Sequence, residues 1–146
     1  MLDEKRNNYL VAVVLDERTG KGGLAYLDIT TGEFACTQFG GPTWQQQIDE
    51  ELERLVPAEM IEPLREDAPG AIENRRKAMQ DPRGFPRTGY ESYHWEMGRA
   101  QRTLLDHFRV QSLEGFGCND LPYAIRAAGA ALEYVKETQK NSLPQI

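Results

Sequence analysis

The sequence has little cysteine, no surplus of basic charge and no long apolar run. Cys36 and Cys118 lie far apart without histidine or cysteine at ligand spacing, which excludes a disulfide framework and a zinc site and favours a reducing, cytoplasmic compartment. The 17 Lys and Arg residues against 23 Asp and Glu residues give a net charge of -6, which argues against autonomous binding to DNA phosphates. No segment reaches the roughly 18 apolar residues that span a bilayer, and residues 1–10 lack the apolar core of a secretion signal, so we expect neither a membrane protein nor an exported one.

The first third of the sequence consists of strand-like runs separated by turn residues. Residues 9–15, YLVAVVL, are continuously apolar and predict a central strand that is buried on both faces. The segment GLAYLDITTGEF at residues 23–34 predicts a strand over Leu24–Ile29, a turn at Thr30–Gly32 and a strand over Glu33–Phe39. Three consecutive strands of this kind predict an antiparallel meander.

A helix and further strands are predicted after the meander. Beyond Gly40–Pro42, apolar residues recur at helical spacing, namely Trp44, Ile48, Leu52 and Leu55. Ala58–Glu62 is a short apolar segment after this crossover and predicts a strand parallel to the first. One edge strand is predicted within Phe85–Trp95, because Pro86 and Gly89 are unfavourable in a central strand. The fold class is therefore α/β, with a mixed sheet.

The second half of the sequence predicts three more helices. A short one is expected near Ile72–Met79, and a packed one over Arg99–Phe108. A long helix follows with Pro122 in its first turn, and its apolar face is formed by Ile125, Ala128, Leu132 and Val135. The small residues of 127–131 would allow another helix to approach closely. The chain stops in the middle of an apolar segment, which is typical of a piece of a longer protein.

Two motifs that suggest chemistry are incomplete. Gly20–Gly23 resembles a phosphate-binding loop, but the required upstream glycine and downstream hydroxyl residue are absent, so a hairpin turn is favoured. His94 and His107 lack a Cys, Ser or carboxylate at a spacing that would indicate an activated pair. Surface or half-buried structural histidines are therefore the favoured interpretation.

The carboxylates invite comparison with ribonuclease H, because the predicted strand order resembles that architecture. Nucleases of this fold hold two divalent metals on an Asp within strand one, a Glu on the first helix and an Asp closing strand four. Here strand one contains no acid, and Asp16 lies at its far end. Glu50 or Glu51 could supply the helix position and Glu62 ends strand four, so two of the three places are filled. A fold without the chemistry is favoured, and a metal-dependent nuclease of ribonuclease H type stays open as the alternative.

Several segments in collinear order resemble the connector domain of the DNA mismatch repair protein family MutS. They are NNYL at 7–10, GLAYLDITTGEF at 23–34, LVPAEM at 55–60, LEGFG at 113–117, AAGAAL at 127–132, YVKETQK at 134–140 and LPQI at 143–146. The resemblance implies a ribonuclease H-like connector over residues 1–117 and a long helix that starts the core, or lever, domain over residues 118–146. It departs from the family where the usual Leu-Pro-His ending is Leu-Pro-Gln.

The resemblance also implies a function. A connector joins the mismatch-reading part to the core and ATPase parts, transmits ATP-dependent conformational change and presents a surface to MutL; it is not an enzyme. ATP, Mg, mismatched DNA and the second MutS subunit are expected to be bound only through other domains of the full-length protein, so no cofactor or metal is expected in this chain. The hinge is expected at Gly115 and Gly117, and the MutL-binding residues are expected to be Arg99, Gln101, Arg102 and Asp106. A passive spacer without a partner is the other alternative.

Overall fold

A computed structural model of the protein describes residues 8–64, 79–108 and 120–138. These residues form six strands, three α-helices and a 3-10 turn: β1 Tyr9–Asp16, β2 Lys21–Asp28, β3 Glu33–Gly40, α1 Trp44–Leu55, β4 Glu59–Leu64, β5 Met79–Gln80, β6 Pro86–Glu91, the turn Ser92–Trp95, α2 Met97–Phe108 and α3 Pro122–Thr138. The strands make one mixed sheet in the order β3-β2-β1-β4-β6-β5. β1 is antiparallel to β2 and parallel to β4, as the sequence predicts.

β1 lies in the middle of the sheet, and its residues from Tyr9 to Val14 are buried. Because successive side chains of a strand point to opposite faces, its apolar run supplies both layers of the core. Val11 and Val13 pack in the cluster that contains α1, whereas Ala12 and Val14 pack in the cluster that contains α2 and α3. The prediction of a central strand buried on both faces is confirmed.

Two tight turns connect the meander. Gly32 has φ +82° and donates its N–H to the carbonyl of Asp28 at 2.8 Å, while the Asp28 side chain accepts the N–H of Thr30 at 2.9 Å. Glycine is favoured there because other residues rarely adopt positive φ. The β1–β2 turn ends in Gly20, with φ +70°, and the next residues belong to β2. Gly20–Gly23 is thus a hairpin turn and strand, as predicted, and not a phosphate loop.

α1 covers one face of the sheet. Its four predicted apolar residues are all buried, and they pack with Val11, Leu24 and Met60. The helix ends at Leu55, and its C-cap Val56 adopts a left-handed conformation with φ +47° and donates its N–H to the carbonyl of Leu52 at 3.0 Å. The crossover to the parallel strand β4 begins directly afterwards.

α2 and α3 cover the opposite face. α3 buries nine residues and approaches β2 so closely that a Cβ on Gly23 would lie 2.0 Å from the carbonyl oxygen of Tyr123. α2 crosses α3 at Gly129, where a Cβ would lie 2.4 Å from that of Ala100. The predicted close approach of another helix is confirmed. Because α3 shares one core with the sheet, residues on both sides of the proposed division at 117/118 belong to that core; the division itself falls outside the described residues and stays a prediction.

The edge of the sheet beyond β4 differs from the expectation. β6 is not an edge strand, since it pairs with β4 on one side and with the two-residue strand β5 on the other. Pro86 is tolerated as the first residue of β6, and Gly89 leaves room for the Leu64 side chain, whose terminal methyl a Cβ there would meet at 2.8 Å. The short helix expected at Ile72–Met79 lies outside the described residues apart from Met79, which belongs to β5.

Candidate functional site

The carboxylates that the sequence suggested as metal ligands are held separately. Asp16 accepts a hydrogen bond of 2.5 Å from the Tyr123 hydroxyl, and this bond joins the β1–β2 turn to α3. The same bond lowers the pKa of Asp16. Glu50 and Glu51 form hydrogen bonds with other residues of α1. Within residues 8–64, 79–108 and 120–138, no group of three or more His, Cys, Asp or Glu is arranged to hold a metal ion.

Glu62 lines a cleft of about 270 Å³ next to α1 and the ends of β1 and β4. Two guanidinium groups, of Arg83 and Arg87, and two carboxylates, of Asp49 and Glu62, line the cleft, and both guanidinium groups also bind the buried Asp81. Arg83 donates to both oxygens of Asp81, at 2.8 and 3.0 Å, and to Asp49 at 2.8 Å. Arg87 donates to Glu62 at 2.5 Å and to Asp81 at 3.3 Å. Each carboxylate therefore has a guanidinium partner.

This arrangement differs chemically from a two-metal nuclease site. There, clustered carboxylates point at divalent ions that flank the scissile phosphate. Here, the hydrogen bonds from Arg83 hold the pKa of the buried Asp81 carboxyl well below its usual range, against the opposing effect of burial. β1 contributes Val13 and Leu15 to the lining of the cleft, whereas strand one of the nucleases contributes an Asp. The cleft has the position expected of a ribonuclease H site, but its carboxylates are hydrogen-bonded to arginine side chains.

Sequence reasoning found Glu62 but missed the other charged residues of this cleft. Asp81 and Arg83 could have been suspected from their spacing, because an Asp side chain often binds a backbone N–H two residues ahead, as it does here at 2.8 Å. Arg87 reaches Glu62 only through the pairing of β4 with β6. That parallel pairing leaves no local signal in the sequence.

His94 is buried, with a hydrogen bond to one carboxylate and a second carboxylate nearby. Its Nδ1 lies 2.8 Å from Glu133 of α3, its Nε2 lies 3.4 Å from Glu91, and its ring stacks on Tyr90 at 3.8 Å. The expectation of a surface or half-buried histidine was wrong for His94, which is 3% exposed, and its hydrogen-bond partner Glu133 is 39 positions away in sequence. His107 is half-buried at the end of α2, as expected.

The four residues expected to bind a partner all lie on α2, but not on one face. At about 100° per residue, Arg99, Arg102 and Asp106 fall on one exposed stripe, whereas Gln101 lies on a half-buried flank. The buried side of the helix is formed by Ala100 and Leu104. The proposed hinge residues, Gly115 and Gly117, lie outside the described residues.

Arg99 is bound to α3. Its Nε lies 3.0 and 3.1 Å from the two oxygens of Glu133, and its Nη2 lies 2.6 Å from one of them. Burial raises the pKa of Glu133, but hydrogen bonds from Arg99 and His94 outweigh it, and the net shift is downward. Glu133 therefore stays ionised and fixes the guanidinium at the α2–α3 junction.

The strand order places the protein in the class of ribonuclease H-like α/β domains, with an antiparallel meander followed by parallel strands and helices on both faces. Its cleft lacks the open carboxylate cluster of the nucleases. The chain belongs to the MutS domain II family, which residues 8–146 match. None of the described helices is long and apolar enough to cross a membrane.

Similar proteins bear the same family name. The chain is 37% identical to the DNA mismatch repair protein MutS of Roseiflexus castenholzii and 38% identical to that of Dehalococcoides mccartyi, in both cases over all of this chain. It is 40% identical to the MutS of Trichormus variabilis over 96% of this chain. The chain spans only 15–16% of the length of these relatives.

Among solved structures, the large terminase nuclease from the thermophilic phage G20c is similar at a TM-score of 0.42 and 14% identity, with 84% of this chain and 81% of that one covered. The likeness is too distant to bear on the chemistry of this chain. The assignment of the fold rests on the strand order.

Proposed function

We propose that this chain is a non-catalytic connector of a MutS mismatch repair protein. It joins the mismatch-binding part to the core and ATPase parts, transmits ATP-dependent conformational change and presents a surface to MutL. The observation that carries the proposal is the match to MutS domain II over residues 8–146, together with a cleft in which arginines occupy the acids. ATP, Mg, mismatched DNA and the second subunit belong to other parts of the full-length protein.

A connector that transmits motion needs a rigid body. Contacts at both ends of α3 support this role: the Tyr123 N–H donates to the Gln38 side chain at 2.8 Å, and Glu133 binds Arg99 at the other end. The hinge at Gly115 and Gly117 stays a prediction. Since α2 and α3 flank that segment and pack together, motion there would have to separate them, and stiffening by Gly117→Ala would impair clamp conversion more than mismatch affinity.

The exposed stripe of α2 is the proposed MutL contact. Arg102 and Asp106 are exposed, and within the described part of the chain neither side chain forms a hydrogen bond or an ion pair. Charged side chains without internal partners are available to an external one. Gln101 lies on the flank and would contact the partner only at the margin.

The test is an NMR titration of the labelled chain with the N-terminal ATPase region of MutL, with and without ATP. We expect chemical shift changes to cluster on Arg99–Asp106 and to weaken in Arg102→Glu. The matched control is Arg18→Glu, which makes the same charge change in the exposed β1–β2 turn. Unchanged spectra in the isolated chain and in the whole ATP-bound protein would support a passive spacer.

A further inference from the structure

An exposed tyrosine lies beside α2 in a fixed orientation. The Tyr93 side chain belongs to the 3-10 turn and is 44% exposed. Its ring lies 4.1 Å from the ring of the buried His94, and the guanidinium carbon of Arg99 lies 5.0 Å from its centroid. A side chain held from two sides loses little conformational entropy when a partner binds. Tyrosine and arginine are also the residue types that most often dominate binding energy at interfaces.

The Arg99 guanidinium has N–H groups that its bonds to Glu133 do not use. A guanidinium carries five N–H groups in a fixed fork, and the bonds to Glu133 use Nε and Nη2. Nη1 makes no hydrogen bond to any residue in the described ranges, and the side chain is 44% exposed. Arg99 can therefore bind a second carboxylate while Glu133 holds it in place.

The charges around this position define a partner. Arg102 lies one helical turn from Arg99 on the same stripe, about 5–6 Å away, so two carboxylates at similar spacing would complement them. Asp106, a turn further on, requires a cation or a neutral group opposite it. Nucleic acid fits poorly, because Glu96 and Asp106 flank the arginines and the chain carries a net charge of -6.

We propose that Tyr93, Arg99 and Arg102 form a docking surface for an acidic segment of a partner protein, here called the tyrosine–arginine surface. Arg99 and Arg102 each bind one carboxylate, and Tyr93 packs against the apolar part of the segment. The inference deepens the function proposed above and rests on it only for the identity of the partner as MutL.

The first test uses a peptide, so that it does not depend on MutL. A helical peptide with two Glu residues one turn apart is titrated into the labelled chain, and the Nε–H signals of Arg99 and Arg102 and the amide of Tyr93 are followed. A peptide with Lys in place of both Glu residues is the control probe. We expect saturable, salt-sensitive shifts with the acidic peptide only.

Variants identify the anchors. Arg99→Lys keeps the charge but loses the second edge of the fork, and Tyr93→Ser removes the ring; each is expected to weaken peptide binding at least about fivefold. Arg18→Gln, in the distant β1–β2 turn, is expected to bind as the parent does. Unchanged amide shifts elsewhere verify that each variant is folded.

Three results would overturn the proposal: no binding of the acidic peptide, equal binding of the lysine peptide, or equal affinity of the Tyr93 and Arg99 variants. Shifts at these residues on adding duplex DNA instead of the peptide would also overturn it, in favour of a phosphate partner. If the acidic peptide binds as expected and MutL does not, the surface stands and only the identity of its partner fails.

Discussion

The Arg83 guanidinium donates to both carboxylate oxygens of Asp81, which is 2% exposed, while Arg83 itself reaches the cleft and binds Asp49 at 2.8 Å. A buried carboxylate is tolerable only when it is paired and hydrogen-bonded. Asp81 is thus a structural group of this domain. Removal of its main partner should lower stability.

Replacing Arg83 by Met tests this role. The variant leaves Asp81 with a backbone N–H and the longer bond from Arg87, so we expect the free energy of unfolding to fall by about 2–4 kcal/mol. Urea denaturation measures the change. Arg54→Met is the control, because it removes an exposed ion pair with Glu51 and should cost less than about 1 kcal/mol. Equal losses in the two variants would refute a structural role for the Arg83–Asp81 pair.

Stability should fall on acidification. The pKa values of Asp81 and Glu133 are lowered in the folded protein from their ordinary 3.8 and 4.5, so the unfolded chain binds more protons at low pH. The stability that these two carboxylates contribute is fully present above their pKa values in the unfolded chain. It is lost as the pH falls through their pKa values in the folded protein. Urea midpoints between pH 6 and pH 2.5 should decline below about pH 4.5. The urea midpoint of Asp81→Asn should decline less steeply as the pH falls. A decline parallel to that of the parent would contradict the contribution of Asp81 to the pH dependence.

Gly23 is expected to be intolerant of substitution. A Cβ there would meet the Tyr123 carbonyl at 2.0 Å, and both groups belong to backbones that cannot move independently. We expect Gly23→Ala to lower the free energy of unfolding by more than about 3 kcal/mol, or to prevent folding. Gly98→Ala is the control, since its Cβ in α2 would meet nothing within 4 Å and should stabilise by up to about 1 kcal/mol. Thermal unfolding of both variants makes the comparison, and a mild effect at Gly23 would mean that α3 does not lie against β2.

The backbone of Val56 is in a strained conformation. It has φ +47° and is 71% exposed, so a β-branched side chain occupies a left-handed position without packing in return. Replacing it by Gly should raise the free energy of unfolding by about 1 kcal/mol, because left-handed backbone costs roughly 1–2 kcal/mol for L-residues. Val56→Thr keeps the branching and should change little. A stabilisation by both, or by neither, in urea denaturation would show that strain at this position is not the cause.

Much of the fold was predictable because its signals are local. The run at residues 9–15 indicated a doubly buried strand, and the apolar spacing from Trp44 to Leu55 indicated α1. The start of α3 was local as well, with Pro122 as its first residue. The position of β6 inside the sheet was not predictable, because the edge strand β5 next to it has only two residues, Met79 and Gln80, without an apolar pattern.

The candidate sites were predictable only in part. α2 was found from its periodicity, but its alignment with Glu133 and Tyr93 depends on how α3 lies against the 3-10 turn. The carboxylate at Glu62 was found by strand order, yet the guanidinium of Arg87 that binds it comes from the adjacent parallel strand.

The sequence by itself determined strands β1 to β4, helices α1 to α3, the turns at Gly20 and Gly32 and the family, because these follow from patterns read along the chain. Only the tertiary structure decided which charges meet: His94 with Glu133, Arg99 with the same carboxylate, and Arg87 with Glu62. These pairs are 25 to 39 positions apart in sequence. Charged side chains have no periodicity that reports their partners, so their pairing follows from strand register and helix packing rather than from local pattern.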